Sequence, residues 1–214
     1  SNEWNLTGNG GTTAGTNFIG TTDGIDLRIK TGNTDRWNIS NANAGQLQAY
    51  SRGTATAPIF SFQADQNTGM YSSANNVVDF ATQGNNRFSI TNNQVLGATR
   101  GSENAPFYSF SQDIGLNTGI FSSGENILDF ATFGVNRLRI DNSYQLFAMD
   151  RGNAGSPFYS FDADQNTGIY SAGADIFNIS TGGNERIRVE ADGDVGIGAT
   201  PNASARLEIN ANNK

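Results

Sequence analysis

Asn67-Thr68-Gly69-Met70-Tyr71 returns as Asn117-Thr118-Gly119-Ile120-Phe121 and again as Asn166-Thr167-Gly168-Ile169-Tyr170, and an Arg stands 20 residues after each Asn, at Arg87, Arg137 and Arg186. Upstream, Arg52-Gly53, Arg100-Gly101 and Arg151-Gly152 each stand six residues before a Pro (Pro58, Pro106, Pro157) that leads into an aromatic-Ser-Phe triplet ending at Phe62, Phe110 and Phe161. A period near 49 residues, with a two-residue insertion around Ile114 to Leu116, predicts a stacked array of similar units. The units read as 52–99, 100–150 and 151–192, after an opening segment with a partial repeat at 1–51 and before a C-terminal strand segment at 193–214.

Inside each unit the pattern is one of short strands. Ile59 to Phe62 is the first, begun by a Pro that a strand tolerates only at its start or on an edge. The Gly-Ile-Tyr piece, after an Asn-Thr turn, is the second, so Asn67, Gly69, Asn117, Gly119, Asn166 and Gly168 are read as turn residues. In the third strand Val78 and Phe80, Leu128 and Phe130, and Phe177 and Ile179 share a face, and Asp79, Asp129 and Asn178 point the other way. A turn at Gly84, Gly134 or Gly183 leads into a fourth alternating strand that opens with Arg87, Arg137 or Arg186, which predicts a hairpin. A weaker fifth strand is expected at Gln94 to Ala98 and at Gln145 to Met149. Trp37 occupies the slot of Phe88, Leu138 and Ile187, which marks it as core, and Trp4 is the second Trp of the opening segment.

Composition sets the limits. Leu, Ile, Val and Phe supply 45 of 214 residues, close to the apolar fraction at which chains stop folding alone. Asn (28) and Gly (26) are poor helix formers, and no window repeats apolar residues at helical spacing, so almost no helix is expected. A net charge of −7 without a basic cluster argues against nucleic acid as a partner. No run approaches the length of a membrane helix, and no signal peptide is read.

Two apolar side chains on one face of such short strands cannot bury themselves, so something must cover that face. Three chains around a common axis would cover it and would hide strand edges that otherwise invite aggregation. The fold class expected is therefore all-β, in an oligomer, with a homotrimer the arrangement that covers the whole face. A monomeric solenoid or propeller fits the period but not the meagre apolar content.

The pattern Pro-x-aromatic-Ser-Phe, then Asp-x-Asn-Thr-Gly-Ile-Tyr, then Asp-Phe-Ala-Thr and Gly-x-x-Arg-x-x-Ile resembles the shaft repeats of bacteriophage tail fibre and tailspike proteins. The opening Trp4-Asn5-Leu6-Thr7-Gly8-Asn9 and the closing Gly193-Asp194-Val195-Gly196-Ile197-Gly198 with Ala205-Arg206-Leu207-Glu208-Ile209 resemble segments that precede the self-cleaving chaperone domain of endosialidase-type fibres. Similar repeats occur in bacterial surface adhesins and in contractile injection devices. The resemblance implies an elongated homotrimeric β fibre, either a β-prism or an interleaved triple-stranded shaft, exposed outside the cell on a virion tail or surface appendage, that meets a cell-surface glycan or protein receptor.

Chemistry has few residues to work with. His and Cys are both absent, which removes Ser-His-Asp and Cys-His arrangements and the common zinc ligand sets. A glycosidase needs only two carboxylates, so a polysaccharide-depolymerising tailspike with acids at an interchain groove is the second reading. An enzyme is expected to break the repeat at its site with unmatched acids, and the only break, Ile114 to Leu116, adds none. Asp162 to Gly168 resembles a Ca²⁺ loop, but its Gly falls one place late and no downstream Glu is in register. The expectation is no catalytic residue, no metal and no cofactor, with Asp65, Asp113 and Asp164 accepting hydrogen bonds from turn amides. Tyr71, Phe121 and Tyr170 are read as packing residues in preference to sugar platforms. Arg87, Arg137 and Arg186 are read as inter-strand or interchain ties, with an anionic glycan as the alternative.

Overall fold

The computed structural model describes residues 5–210, so Trp4 lies outside the described residues. The chain is all-β, with 47% strand and 1% helix, in several sheets of which none is closed. It divides into two compact units, Ser1–Ala98 and Thr99–Lys214.

The first unit holds a three-stranded sheet (Leu27–Thr31, Thr34–Ile39, Leu47–Ala49) and a five-stranded meander. The meander runs Phe60–Phe62, Asp65–Tyr71, Val78–Thr82, Asn85–Ile90 and Val95–Gly97, with every neighbour antiparallel. Trp37 and Phe60 join the two sheets, their ring centroids 4.8 Å apart. The second unit holds two further meanders. One runs Tyr108–Ser109, Gly119–Phe121, Leu128–Thr132, Val135–Ile140 and Leu146–Ala148; the other runs Tyr159–Phe161, Asp164–Tyr170, Phe177–Thr181, Asn184–Val189 and Val195–Ile197. Leu207–Ile209 then adds to the last of these in parallel. The three meanders are called the first, second and third sheets below.

The central hairpin of each sheet turns in two residues, both at positive φ: Gln83 (53°) and Gly84 (72°), Phe133 (54°) and Gly134 (68°), Gly182 (57°) and Gly183 (75°). Gly32 (55°) and Asn33 (58°) do the same in the opening sheet. Such turns match the right-handed twist of the strands they join. The pairings Phe80↔Phe88, Phe130↔Leu138, Ile179↔Ile187 and Ile29↔Trp37 put Trp37 in its expected slot.

Two features were not legible as strands or turns. Gly53–Thr54 pairs with Ala57–Pro58, and the same two-residue ribbon recurs at Gly101–Ser102 with Ala105–Pro106 and at Gly152–Asn153 with Ser156–Pro157. The Asn-Thr-Gly segment is also not the turn in the first and third sheets. There Asn67 and Gly69, and Asn166 and Gly168, lie within strands, and Gln63-Ala64 and Asp162-Ala163 make the reversal. The cause is a bulge, Ser61↔Gly69 followed by Phe62↔Asp65, which lengthens one strand past its partner. In the second sheet the insertion opens this reversal into a loop, so Asn117 precedes its strand and Gly119 begins it.

The conserved role of Gly69, Gly119 and Gly168 within the chain is close approach. A Cβ at these positions would meet the carbonyl oxygen of Phe60, Tyr108 or Tyr159 at 1.8, 2.0 or 1.9 Å, and the Cβ of Pro58, Pro106 or Pro157 at 3.1, 3.0 or 3.1 Å. The ribbon lies against the sheet only because no side chain stands between them.

Candidate functional site

Each sheet has two unlike faces. On one, cross-strand pairing strings apolar residues into a row: Phe60, Met70, Phe80 and Phe88 in the first sheet; Tyr108, Ile120, Phe130, Leu138 and Ala148 in the second; Tyr159, Ile169, Ile179, Ile187, Ile197 and Ile209 in the third. A second row two residues along holds Val78, Ile90 and Val95, then Leu128, Ile140 and Leu146, then Phe177, Val189, Val195 and Leu207. Within one chain this face is open: Val78, Leu128 and Phe177 are 39, 42 and 47% exposed, and Phe80, Phe130 and Ile179 are half-buried. In the first sheet it forms an apolar concavity of about 590 Å³ around Phe60, Phe62, Met70, Phe80 and Phe88, with Arg87 and Thr82 at its lining.

The face buried within the chain is the other one, and it is polar. Tyr71, Ala81, Phe121, Ala131 and Tyr170 surround Asp79, Asp129 and Asn178, which are wholly buried. Asp79 accepts from Ser73 N at 2.7 Å, from Asn86 Nδ2 at 3.4 Å and from the Ser89 hydroxyl. Burial pushes its carboxyl up, but these hydrogen bonds outweigh burial and hold it below 3.8. Asp129 accepts from the Ser123 hydroxyl at 2.5 Å and Ser123 N at 3.0 Å, from Asn136 Nδ2 at 2.7 Å and from Arg139 Nε at 2.8 Å. Against the cost of burial, these donors pull it down to about 2.

In the third sheet the acid changes strands. Asn178 takes the buried slot, and Glu185, in the position of Asn86 and Asn136, accepts from Tyr170 Oη (2.6 Å), Asn178 Nδ2 (2.7 Å) and Arg188 (3.0 Å). Burial and the Glu185 carboxylate push the Tyr170 phenol up to about 12. Three sheets thus solve one burial problem with two placements of one negative charge.

The repeated Arg sits at a bulge. Ala81 pairs with Asn86 and Phe80 with Phe88, which leaves Arg87 unopposed; Arg137, Arg186 and Arg36 occupy the same place. Arg137, Arg186 and Arg36 donate from Nε to Thr132, Thr181 and Thr31 at 2.9, 2.8 and 2.8 Å, and Arg87 to Thr82. Their carbonyls accept from the backbone N–H of Met149, Gly198, Tyr50 and Ala98, each the residue that follows the neighbouring strand. Among the described residues none of these four guanidiniums has a carboxylate at ion-pair distance. The sequence held no signal for the Thr partner beyond its recurrence five residues before each Arg.

Of the three acids expected at turn amides, Asp113 accepts from Asn117 N and Thr118 N, both at 2.8 Å. Asp65 and Asp164 instead begin strands, as the bulge requires. Among the described residues no group of three or more His, Cys, Asp or Glu converges as a metal site, and no helix is long and apolar enough to cross a membrane. The chain matches no family model, no curated protein and no solved structure.

Proposed function

We propose that the chain is a structural and adhesive fibre. Three copies pack the open faces of their sheets around a common axis, unit upon unit along the 49-residue period. The rod they form is part of a phage tail fibre or a related extracellular appendage that presents a surface to a cell-surface receptor. The observation that carries this reading is the pair of unbroken apolar rows on one face of every sheet, uncovered in a single chain.

The surface area supports it. The chain exposes 15213 Å², whereas its mass of 22.7 kDa corresponds to about 9,500 Å² as one compact domain and about 11,500 Å² as two. At roughly 25 cal/mol per Å², covering even a few hundred Å² more per chain contributes on the order of 10 kcal/mol, comparable to the stability of a whole domain. The acids that recur at the centre of the first and second sheets, Asp79 and Asp129, are buried and saturated with donors, so they do not face a glycan. Light scattering or native mass measurement tests the reading. A species near 68 kDa, three times the mass of one chain, is expected; a stable 22.7 kDa monomer overturns it.

A further inference from the structure

The second sheet departs from its neighbours at one end. At the central hairpin turn Phe133 and Val135 stand where the first sheet has Gln83 and Asn85 and the third has Gly182 and Asn184. The inserted loop beside it adds Ile114 and Leu116. Two bonds tie the turn to the residues that directly follow the loop: Gly134 N donates to Asn117 O at 3.0 Å, and Phe133 N to the Thr118 hydroxyl at 3.3 Å. Ile114 is 92% exposed, Phe133 80%, Leu116 50% and Val135 47%. Leu116 and Phe133 also hold φ of 53° and 54°, a region that bulky side chains avoid.

We propose that this turn-end patch is a docking surface for an apolar patch on a protein receptor. The inference rests on the adhesive-fibre reading and names the class of its partner. A second copy of this chain is the wrong occupant, because packing between copies would cover the same corner in every sheet, and the first and third sheets, with Gln83 and Asn85 or Gly182 and Asn184, carry no apolar side chain there. A glycan is disfavoured because the four side chains are hydrocarbon, three of them aliphatic, with no hydrogen-bonding group among them. The size suits a protein. The four residues expose on the order of 400 to 500 Å², at the upper range of patches on ordinary monomers, and enough for the apolar centre of an interface of about 800 Å² per side. Around this centre Asn104, whose Oδ1 abuts Gly134, and Arg137, bonded to Thr132, supply a polar rim.

The test uses the full chain and the variant F133Q/V135N, which places the first sheet's own residues in the second; Gln83 already holds this turn at φ 53°. Assembled mass and melting temperature are measured first and are expected to be unchanged or, for melting, raised. A fall in mass would show the patch to be a contact between copies, overturning this inference while leaving the fibre reading intact. A wild-type monomer would instead sink the fibre reading by itself. A displayed library of random peptides is then selected on wild-type protein. Peptides rich in apolar residues that bind the variant at least about tenfold more weakly are expected. Peptides that bind both proteins equally, or no enrichment, overturn the proposal. So does a glycan array on which wild-type binding is lost in the variant, since the partner would then be a sugar.

Discussion

At Asp129 a carboxylate with no exposed surface is held by three side-chain donors and a backbone amide, and one of those donors is charged. Replacing it by Asn leaves the Arg139 guanidinium facing a neutral amide. Because Arg139 is 28% exposed, water recovers part of the loss, so D129N is expected to cost about 2 kcal/mol, below the range for a fully buried pair. The third sheet supplies the remedy in its own sequence. D129N/N136E copies Asn178 and Glu185, returns the charge to reach of Arg139, and is expected to recover more than half of the loss in denaturant unfolding. A double variant as unstable as the sum of its parts would mean that the two placements are not interchangeable. Acid gives an independent check. With a carboxyl at about 2 in the fold against an ordinary 3.8, Asp129 contributes its full stability above pH 4 to 5 and loses it as pH falls towards 2. The gap between wild type and D129N is therefore expected to close by about 2 kcal/mol over that fall.

Among the elements, the ribbon and hairpin depend on a missing side chain more than on any contact. G119A places a methyl 2.0 Å from the Tyr108 carbonyl oxygen, so the strand pair or the ribbon must move, and a loss of about 3 kcal/mol or more is expected. G182A meets nothing within 4 Å and suffers only from its φ of 57°, about 1 kcal/mol. Thermal unfolding of the two variants separates close approach from backbone strain; equal losses would contradict the distinction. The hairpins and their register were legible in the sequence because alternation and a Gly at the turn both signal them, and Trp37 fell into line by counting from Arg36. The ribbon was not, since two-residue strands such as Gly53–Thr54 and Ala57–Pro58 leave no period to read. Asn67-Thr68 read as a turn by composition, yet the bulge at Ser61 and Phe62 draws it into the strand, an outcome set by pairing partners far away in sequence. Alternation separated Val78 from Asp79 correctly, but it has no means of saying which face the chain covers for itself. That the polar face is the covered one follows from the ribbon and from the donors of Ser73, Asn86 and Ser89, which only the assembled sheet brings together.

For the whole molecule the question is what meets the apolar rows, and Leu138 lies in the middle of one, between Phe130 and Ala148. If three copies share an interior there, L138K places three ammonium groups near one axis and removes three buried leucines, at about 2 kcal/mol each from lost burial alone. Desolvation and mutual repulsion of the charges add to that loss. The expected result is a fall in assembled mass towards the 22.7 kDa of one chain. N184K puts the same charge on the exposed first residue of a strand and is expected to leave the mass unchanged. The comparison distinguishes a buried face from a general effect of charge, because each variant shifts the net charge of −7 by the same single unit. If L138K keeps the mass of the wild-type assembly, the chains do not meet through these rows. The large surface of each copy would then need another cover.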